Sequence, residues 1–285
     1  MRATWNGMDG PCERYEPTRR AMTPAVAPVV GTSIFARPAA DVLGVRVDDV
    51  SREELVALVL SLVASGDCHR VMYANVHVLN VAYRDLDLRR VLNQADLVYC
   101  DGAGVRVGAR LLGYELAERM TGADWIHDLC QACRQARLTL YFLGGRPGVA
   151  GEAAAALTAK YPGLNVVGTH HGHYALDGPQ NEAVIAEIRR LRPDILLVGF
   201  GTPLQERWID RNFERLDVPV VWAVGALVDF VAGRKTRAPR WMLDRGLEWL
   251  YRLWTEPGRL WSRYLIGNPL FIVRVLRQRW QGGEG

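Results

Sequence analysis

The stretch Asp194–Trp208, DILLVGFGTPLQERW, decides the fold that we expect for this chain. Its first half is a short, continuous apolar run, which is typical of a strand buried on both faces of a parallel sheet. The run ends at Gly201. Thr202 as N-cap, Pro203 at the first helical position and Gln205 as capping-box partner then predict a helix N-terminus. In an open parallel sheet, such a strand–helix junction binds ligands because unpaired N–H groups face outward there.

Gln205 and Glu206 fall in the first turn of this predicted helix. They would lie at the mouth of the crevice that forms at the carboxyl edge of the sheet. Two interpretations stay open at this point: the two side chains contact a ligand, or they only cap the helix.

The same alternation of apolar runs and helical patterns extends on both sides of this stretch. A capping box at Ser51–Glu54 opens one of the helices. The runs that predict strands are residues 44–47, 70–75, 97–100, 138–143, 165–168, 195–200 and 220–224. The pattern predicts an α/β fold with a doubly wound, mostly parallel (Rossmann-like) sheet and a C-terminal helical appendage.

The chain divides into three parts. Residues 1–40 contain five prolines and no sustained period, so we predict a disordered N-terminal extension. Residues 41–233 form the α/β domain, and residues 234–285 form the appendage. Residues 234–280 contain eleven basic side chains against three acidic ones, although the whole chain has a net charge of only +4. The basic charge of the appendage predicts an anionic partner.

The appendage is also rich in tryptophan. Its tryptophans are Trp241, Trp249, Trp254, Trp261 and Trp280. Trp beside Arg suits a segment that lies in a membrane interface, with Trp at headgroup depth. The alternative is an ordinary helical cap whose tryptophans pack on the core. No apolar run reaches the length of a membrane-spanning helix.

Three groups of side chains resemble metal or redox motifs, and none predicts such a site. Cys130 and Cys133 have C-x-x-C spacing but lie in a helical pattern, and the five cysteines of the chain indicate reduced thiols. Asp85-Leu-Asp87 follows a helical run, so we interpret it as solvated surface. His170–His173 lacks a further ligand at metal-binding spacing and is interpreted as a polar loop.

Polar side chains and glycines recur where predicted strands end. These positions are Asn75, Asp101, Asp124, Gly144 with Gly145, Gly201–Glu206, and Asp229. The carboxyl ends of parallel strands share one edge, so we expect these groups in one crevice. Asp101, beside two glycines, is the candidate general base; its alternative role is that of a turn or N-cap residue.

The Gly144-Gly145-x-x-Gly148 turn brings backbone close to a diphosphate. It is not a full dinucleotide fingerprint and lacks the acidic ribose partner. This departure argues against a standard NAD site.

Several motifs together resemble the WecG/TagA/CpsF glycosyltransferases. They are Arg119–Asp124, Gly144–Ala150, Gly201–Glu206 with its G-x-P-x-Q-E pattern, Arg237–Trp241, and Gly246–Arg252. The resemblance covers about residues 41–275. It implies an inverting enzyme that moves N-acetylmannosamine, its uronic acid or glucose from a UDP-sugar to a polyprenyl-diphosphate-linked acceptor. It also implies bacterial surface polysaccharide synthesis at the cytoplasmic face of the membrane, with neither a metal nor another cofactor.

The resemblance assigns roles by position. Asp101 corresponds to the proposed base, and Arg119 and Gln205 correspond to polar active-site residues. Arg252, Arg259 and Arg263 correspond to appendage arginines that hold the acceptor diphosphate. The other predicted substrate-binding residues are Tyr73, Asn75, Asp124, Gly144, Gly145, Gly201, Thr202, Glu206, Asp229 and Arg237. Two residues depart from the family pattern: Tyr73 stands in place of a usual Thr, and Leu204 in place of a frequent Lys.

The expected partners are a UDP-sugar donor, the lipid-linked acceptor, an anionic membrane surface and a second copy of the chain, with no nucleic acid. Two other classes remain as alternatives. One is a non-enzymatic nucleotide-binding or regulatory module with a basic tail. The other is a dinucleotide-dependent oxidoreductase.

Overall fold

The computed structural model describes residues 37–239, 241–242 and 248–282. The predicted disorder of residues 1–36 lies outside these residues. The first strand begins at Ala39, so ordered structure starts before the predicted boundary at residue 41.

One eight-stranded sheet organises the domain. Its strands are β1 Ala39–Val42, β2 Val45–Asp48, β3 His69–Ala74, β4 Leu97–Cys100, β5 Thr139–Gly144, β6 Asn165–His170, β7 Ile195–Gly199 and β8 Val220–Ala223. Their order is β1-β2-β4-β3-β8-β7-β5-β6. All neighbouring strands are parallel except β1 and β2, which form an antiparallel hairpin at one edge. The predicted doubly wound, mostly parallel sheet is confirmed.

Helices cover both faces of the sheet. They are α1 Arg52–Ala64, α2 Val76–Ala82, α3 Leu86–Asn93, α4 Ala103–Leu111, α5 Gly122–Ala136, α6 Val149–Lys160, α7 Gly178–Leu191, α8 Leu204–Leu216, α9 Leu227–Val231, α10 Glu248–Thr255, α11 Pro257–Trp261 and α12 Gly267–Gly282. A π-helical segment, Ser262–Ile266, joins α11 to α12. Helices α1, α5, α6 and α9 contact one another in one layer, while α2, α3, α7 and α8 form the other. The C-terminal helical appendage is thus also confirmed.

The N-terminus of α8 differs from the prediction. The helix begins at Leu204 and Pro203 is its N-cap, so Thr202 and Gln205 form no capping box. The Thr202 hydroxyl instead donates to Glu206 Oε1 at 2.8 Å. Gln205 turns inward, and its Oε1 accepts from the backbone N–H of Gly201 at 3.2 Å and of Gly225 at 3.0 Å. The Gln205 side chain, which was expected to cap the helix, is therefore hydrogen-bonded to two backbone N–H groups inside the protein.

Asp85 is not the solvated surface residue that the sequence predicted. It is the N-cap of α3, a helix that the sequence analysis did not predict, and it accepts from Leu88 N at 3.0 Å. Its other carboxylate oxygen pairs with Arg207 of α8. Asp87 pairs with Arg90 one turn later in α3.

Aromatic rings fill the core below the carboxyl edge of the sheet. Trp125 and Trp222 stack with ring centroids 4.0 Å apart, and Tyr99 meets both of them edge-on. Trp125 donates from its indole N–H to the Tyr99 hydroxyl at 3.2 Å. The same layer buries Cys130, which explains why burial raises the pKa of its thiol to about 12.

Helix α12 approaches α4 of the α/β domain closely at one glycine. Phe271 is buried against Gly108 of α4, where a Cβ on Gly108 would lie 2.5 Å from Phe271 Cζ. Near the end of α12, the Gln278 side chain accepts from Leu43 N at 2.8 Å and donates to Asp41 O at 3.1 Å. A glycine at position 108 thus lets the two helices approach closely enough for the C-terminus to reach the first hairpin.

We predict opposite effects for the same substitution at two helical glycines. In α4, Gly108→Ala should lower the free energy of unfolding by about 1–3 kcal/mol, because the new methyl group overpacks the Phe271 contact. In α6, the nearest atom to a Cβ on Gly151 is Thr169 Oγ1 at 3.8 Å, so Gly151→Ala meets no clash. It should raise the free energy of unfolding by about 0.5–1 kcal/mol through helix propensity alone. Denaturant unfolding measures both, and equal shifts would contradict the docking role of Gly108.

Candidate functional site

A cavity of about 810 Å³ lies at the carboxyl edge of the sheet. Its floor is formed where β3, β4, β7 and β8 end, and its wall is formed by α10 to α12. Seven of the predicted site residues line it: Tyr73, Asn75, Asp101, Gly201, Thr202, Arg252 and Arg263. The crevice that the sequence predicted is therefore present, and the appendage covers it.

Asn75 and Asp101 form the centre of the cavity. They follow the adjacent parallel strands β3 and β4, whose register pairs Ala74 with Cys100. Asn75 is the N-cap of α2, and its Oδ1 accepts from Val78 N at 3.0 Å. This bond turns the Asn75 amide nitrogen toward Asp101, where it donates to Oδ2 at 2.9 Å. The cap of one helix thereby orients the carboxylate that the sequence predicts as a base.

The π-helical segment brings a cation to the same place. Arg263 Nη2 donates to Asn75 Oδ1 at 3.5 Å, across 188 residues of sequence. Burial lowers the pKa of the Arg263 guanidinium, while Tyr73 and Asp101 act to raise it. π-Helical turns are uncommon and concentrate at functional sites because they re-aim side chains. Arg252 of α10 also lines the cavity, with its guanidinium 5.4 Å from the Phe230 ring centroid.

Gln205 supports the floor of the cavity from the protein interior. It is fully buried, does not line the cavity, and donates from Nε2 to the Tyr73 hydroxyl at 3.2 Å. The Tyr73 hydroxyl lies over Gly225, because a Cβ at Gly225 would lie 2.8 Å from it. Burial, followed by Glu206 and Asp101, raises the pKa of Tyr73 well above its ordinary value, so this hydroxyl stays protonated. In this arrangement Gln205 positions Tyr73 and two loops.

Glu206 is a buried acid next to this network. Its Oε1 accepts from Gln205 Nε2 at 2.8 Å and from Thr202, while Oε2 has no hydrogen-bond partner among the described residues. Burial raises the pKa of the Glu206 carboxyl, and the two hydrogen bonds oppose this shift. Glu206 does not line the cavity, so its described contacts are structural.

His77 lines the cavity and was not singled out in the sequence. Burial, followed by the charge of Arg263, lowers its pKa to about 4. The imidazole is therefore neutral at physiological pH and can accept as well as donate a hydrogen bond.

The N-terminus of α5 opens on the cavity through Thr121, Gly122 and Ala123. Asp124, three residues after the Thr121 N-cap, accepts from Thr121 N at 2.8 Å and pairs with Arg237 Nη2 at 2.5 Å. Asp124 and Arg237 thus hold the start of the appendage to this helix and do not line the cavity. The Arg237 guanidinium lowers the pKa of the Asp124 carboxyl against the effect of burial.

The Gly144-Gly145 turn lies outside the cavity lining. It follows β5, and β8 and β7 separate β5 from β3 in the sheet. A Cβ on Gly144 would lie 2.5 Å from Gly199 O, so the turn packs on its neighbour strand. The carbonyl of Gly145 accepts from Gly172 N at 2.8 Å, within the His170–His173 loop. Close backbone approach therefore accounts for Gly144, and a positive φ of 70° accounts for Gly145.

Arg119 and Asp229 are also absent from the cavity lining among the described residues. Arg119 precedes Met120, which forms a parallel bridge with Asp101, so its backbone lies beside the site. Asp229 is half-buried in α9, where its carbonyl accepts from Arg234 N and Lys235 N. Arg259 belongs to α11, and its side chain lies outside the described part of the structure.

A second group of cavity residues was missed by the sequence analysis. Asn80, Arg84 and Arg274 line the cavity near the C-terminal end of α2. Arg274 belongs to α12, and its position depends on how that helix docks. No local sequence pattern distinguishes it from the other arginines of the appendage.

The appendage exposes several large apolar side chains. Trp254 is 87% exposed and Trp261 is 50% exposed, and Leu265 and Ile266 are also exposed. In the part of the chain that the structure describes, no helix combines the length and the apolar character needed to cross a membrane.

Comparison with known proteins identifies relatives that cover almost the whole domain. The family model described as the glycosyl transferase WecG/TagA/CpsF family matches residues 40–285. A Staphylococcus aureus (strain NCTC 8325 / PS 47) protein named N-acetylglucosaminyldiphosphoundecaprenol N-acetyl-beta-D-mannosaminyltransferase is 28% identical over 244 residues, which are 84% of this chain and 92% of that protein. The protein of the same name from strain MRSA252 is 30% identical over 245 residues, with the same coverage. On this match and on the geometry of its cavity, the chain belongs to the WecG/TagA/CpsF family of glycosyl transferases.

Proposed function

We propose that this protein transfers a sugar from a UDP-sugar to a saccharide linked to a polyprenyl diphosphate, with inversion at the anomeric carbon. The observation that carries the proposal is the hydrogen-bonded set of Asn75, Asp101 and Arg263 in one cavity at the carboxyl edge of the sheet. Family membership gives the class of reaction. The names of the S. aureus relatives specify a diphosphoundecaprenol-linked acceptor and a β-linked product.

In the proposed reaction, Asp101 is the general base. It accepts the proton of the acceptor hydroxyl as that oxygen forms a bond to the anomeric carbon of the donor. The bond from that carbon to the UDP oxygen breaks, and UDP leaves with the electron pair. Attack opposite the leaving group converts an α-linked donor to the β-linked product that the relatives' names describe.

Positive groups around the cavity would stabilise the charge that develops on UDP. The N-terminus of α5 lines the cavity, and a helix N-terminus favours anions. Arg119 stands one residue before the bridge to Asp101, and we propose that its guanidinium offsets the negative charge on the leaving UDP. We propose that these groups stabilise the leaving UDP without a metal ion or another cofactor.

The donor would supply N-acetylmannosamine, its uronic acid or glucose. Tyr73 borders the space beside Asp101, and its hydroxyl is fixed by Gln205 and close to Gly225. We propose that this ring sets which donor sugar fits. Gln205, which by resemblance corresponds to a polar active-site residue of the family, would act through Tyr73 as a positioning residue.

The appendage would bring the enzyme to its lipid-linked acceptor at the cytoplasmic face of the bacterial membrane. Arg252 and Arg263 enter the cavity from the appendage, and the exposed tryptophans cover its outside. Trp side chains favour the headgroup region of a bilayer. The protein would therefore bind peripherally, in the synthesis of a surface polysaccharide.

Replacement of the proposed base should abolish turnover and spare binding. We expect Asp101→Asn to lower kcat by about a hundredfold or more, since the acceptor hydroxyl then has no proton acceptor. The Kd for UDP should stay within about twofold of the wild-type value, because UDP does not contact the base. Asp67→Asn, an exposed acid in the loop before β3, serves as the matched control. Near-wild-type turnover of Asp101→Asn would remove Asp101 from this role.

The exposed tryptophans of the appendage should contribute to membrane binding. We expect the Trp254→Ala, Trp261→Ala double variant to bind anionic liposomes at least about tenfold more weakly, because two large apolar side chains no longer enter the interface. Leu86→Ala removes an equally exposed apolar side chain from α3 and should change nothing. Liposome sedimentation measures both, and unchanged binding of the double variant would contradict the membrane role.

A further inference from the structure

Arg274 is a buried cation that faces the cavity away from the Asp101 centre. It is 7% exposed and lines the cavity from α12. Its Nη1 donates to Asn80 O at 3.0 Å and to Asn80 Oδ1 at 2.7 Å, and its guanidinium stacks 4.3 Å from the Tyr83 ring centroid. These contacts hold the guanidinium in one orientation.

No carboxylate neutralises Arg274 within the described residues. Its two described hydrogen bonds go to an amide and a carbonyl oxygen, and both come from Nη1. A buried guanidinium stays charged, and burying a charge without an anionic partner is costly. The arrangement therefore provides a place for an anion that arrives from the cavity.

A second guanidinium stands at the same end of the cavity. Arg84 follows α2, is exposed and also lines the cavity. Burial, followed by the charge of Arg84, lowers the pKa of Arg274, so the two cations repel each other. Asp85 is the nearby acid, but its carboxylate caps α3 and pairs with Arg207. An anion bound between Arg84 and Arg274 would relieve their repulsion.

The Asp101 centre and this pair lie toward opposite ends of α2. Asn75, which contacts Asp101, precedes α2, whereas Asn80 and Arg84 lie at or just beyond its last turn. At about 1.5 Å rise per residue, the backbone of these residues lies roughly 8 to 14 Å from that of Asn75. Since Asp101, Arg84 and Arg274 line the same cavity, a substrate whose hydroxyl reaches Asp101 would extend a phosphate on its other side toward the two arginines.

Apolar side chains also line the cavity, and one of them reaches the surface. Val81, Leu270 and Ile266 line it, and Ile266 is 54% exposed beside the equally exposed Leu265. A phosphate that carries a hydrocarbon chain would thus place its charge on the two arginines and its chain on this apolar exit.

We propose that Arg84 and Arg274 form a second anion subsite, which binds a phosphate group carried by a lipid chain. The proposal rests on the proposed function for its substrate, and two sources provide this chemistry: the lipid-linked acceptor and the headgroup of an anionic membrane lipid. The subsite differs from the position of Arg252 and Arg263, where Arg263 contacts Asn75.

The subsite is tested first by direct binding. The probe is farnesyl phosphate, which has one phosphate, a prenyl chain and no sugar, and its Kd for the full chain is measured by calorimetry. We expect Arg84→Glu to raise the Kd by about tenfold or more, and Arg84→Lys to stay within about threefold. Arg274→Gln should weaken binding similarly, and a thermal-unfolding scan shows whether it remains folded. Arg190→Glu, at an exposed site in α7 outside the cavity lining, is the matched control.

Two further measurements distinguish the two sources of the phosphate, the lipid-linked acceptor and the lipid headgroup. A rise of about tenfold in the KM for the lipid-linked acceptor, with the KM for the donor unchanged, identifies the acceptor phosphate. Weaker binding of Arg84→Glu to phosphatidylglycerol vesicles, with the acceptor KM unchanged, identifies the headgroup. If Arg84→Glu matches Arg190→Glu in all three measurements, the subsite is overturned. If no sugar is transferred from any UDP-sugar, the proposed function is wrong. The Kd for farnesyl phosphate still shows whether the subsite exists, because that measurement requires no turnover.

Discussion

The close contact between Phe271 of α12 and Gly108 of α4 sets the geometry on which the cavity depends. It holds the last helix against the α/β domain, and Gln278 then fastens that helix to the first hairpin. With α12 fixed, the π-helical segment before it passes over the carboxyl edge of the sheet and carries Arg263 to Asn75. The wall of the cavity is thus built from sequence about 190 residues away from its floor.

This arrangement explains why the basic charge of the chain is concentrated in the appendage. Arg252, Arg263 and Arg274 all enter the cavity from there, whereas the α/β domain contributes Asp101 and Asn75 at the strand ends. The domain thereby supplies the groups suited to proton transfer, and the appendage supplies three of the four arginines that line the cavity among the described residues, with Arg84 the fourth. The same helices also expose large apolar side chains, so one element can serve both a lipid surface and a phosphate-bearing substrate.

The sequence predicts those features of the structure that depend on local patterns of residues. The continuous apolar run at Leu97–Cys100 is a strand at those positions, and Asn75 and Asp101 meet because parallel strands share an edge. Prediction from the sequence failed for features that depend on how distant elements pack together. Gln205 turned inward because two buried N–H groups needed its oxygen, and Arg274 gained its place only through the docking of α12. Strand order is equally non-local, and it placed the Gly144-Gly145 turn beyond the cavity lining.

The measurement that tests the central claim most directly is a transfer assay with the full chain, a lipid-diphosphate-linked N-acetylglucosamine acceptor and a panel of UDP-sugars, with EDTA present. Mass spectrometry gives the mass of the sugar added to the acceptor, and NMR gives its anomeric configuration. The account predicts that one UDP-sugar extends the acceptor by a single β-linked residue in spite of EDTA. No product from any UDP-sugar, or a product that retains the donor configuration, would contradict it.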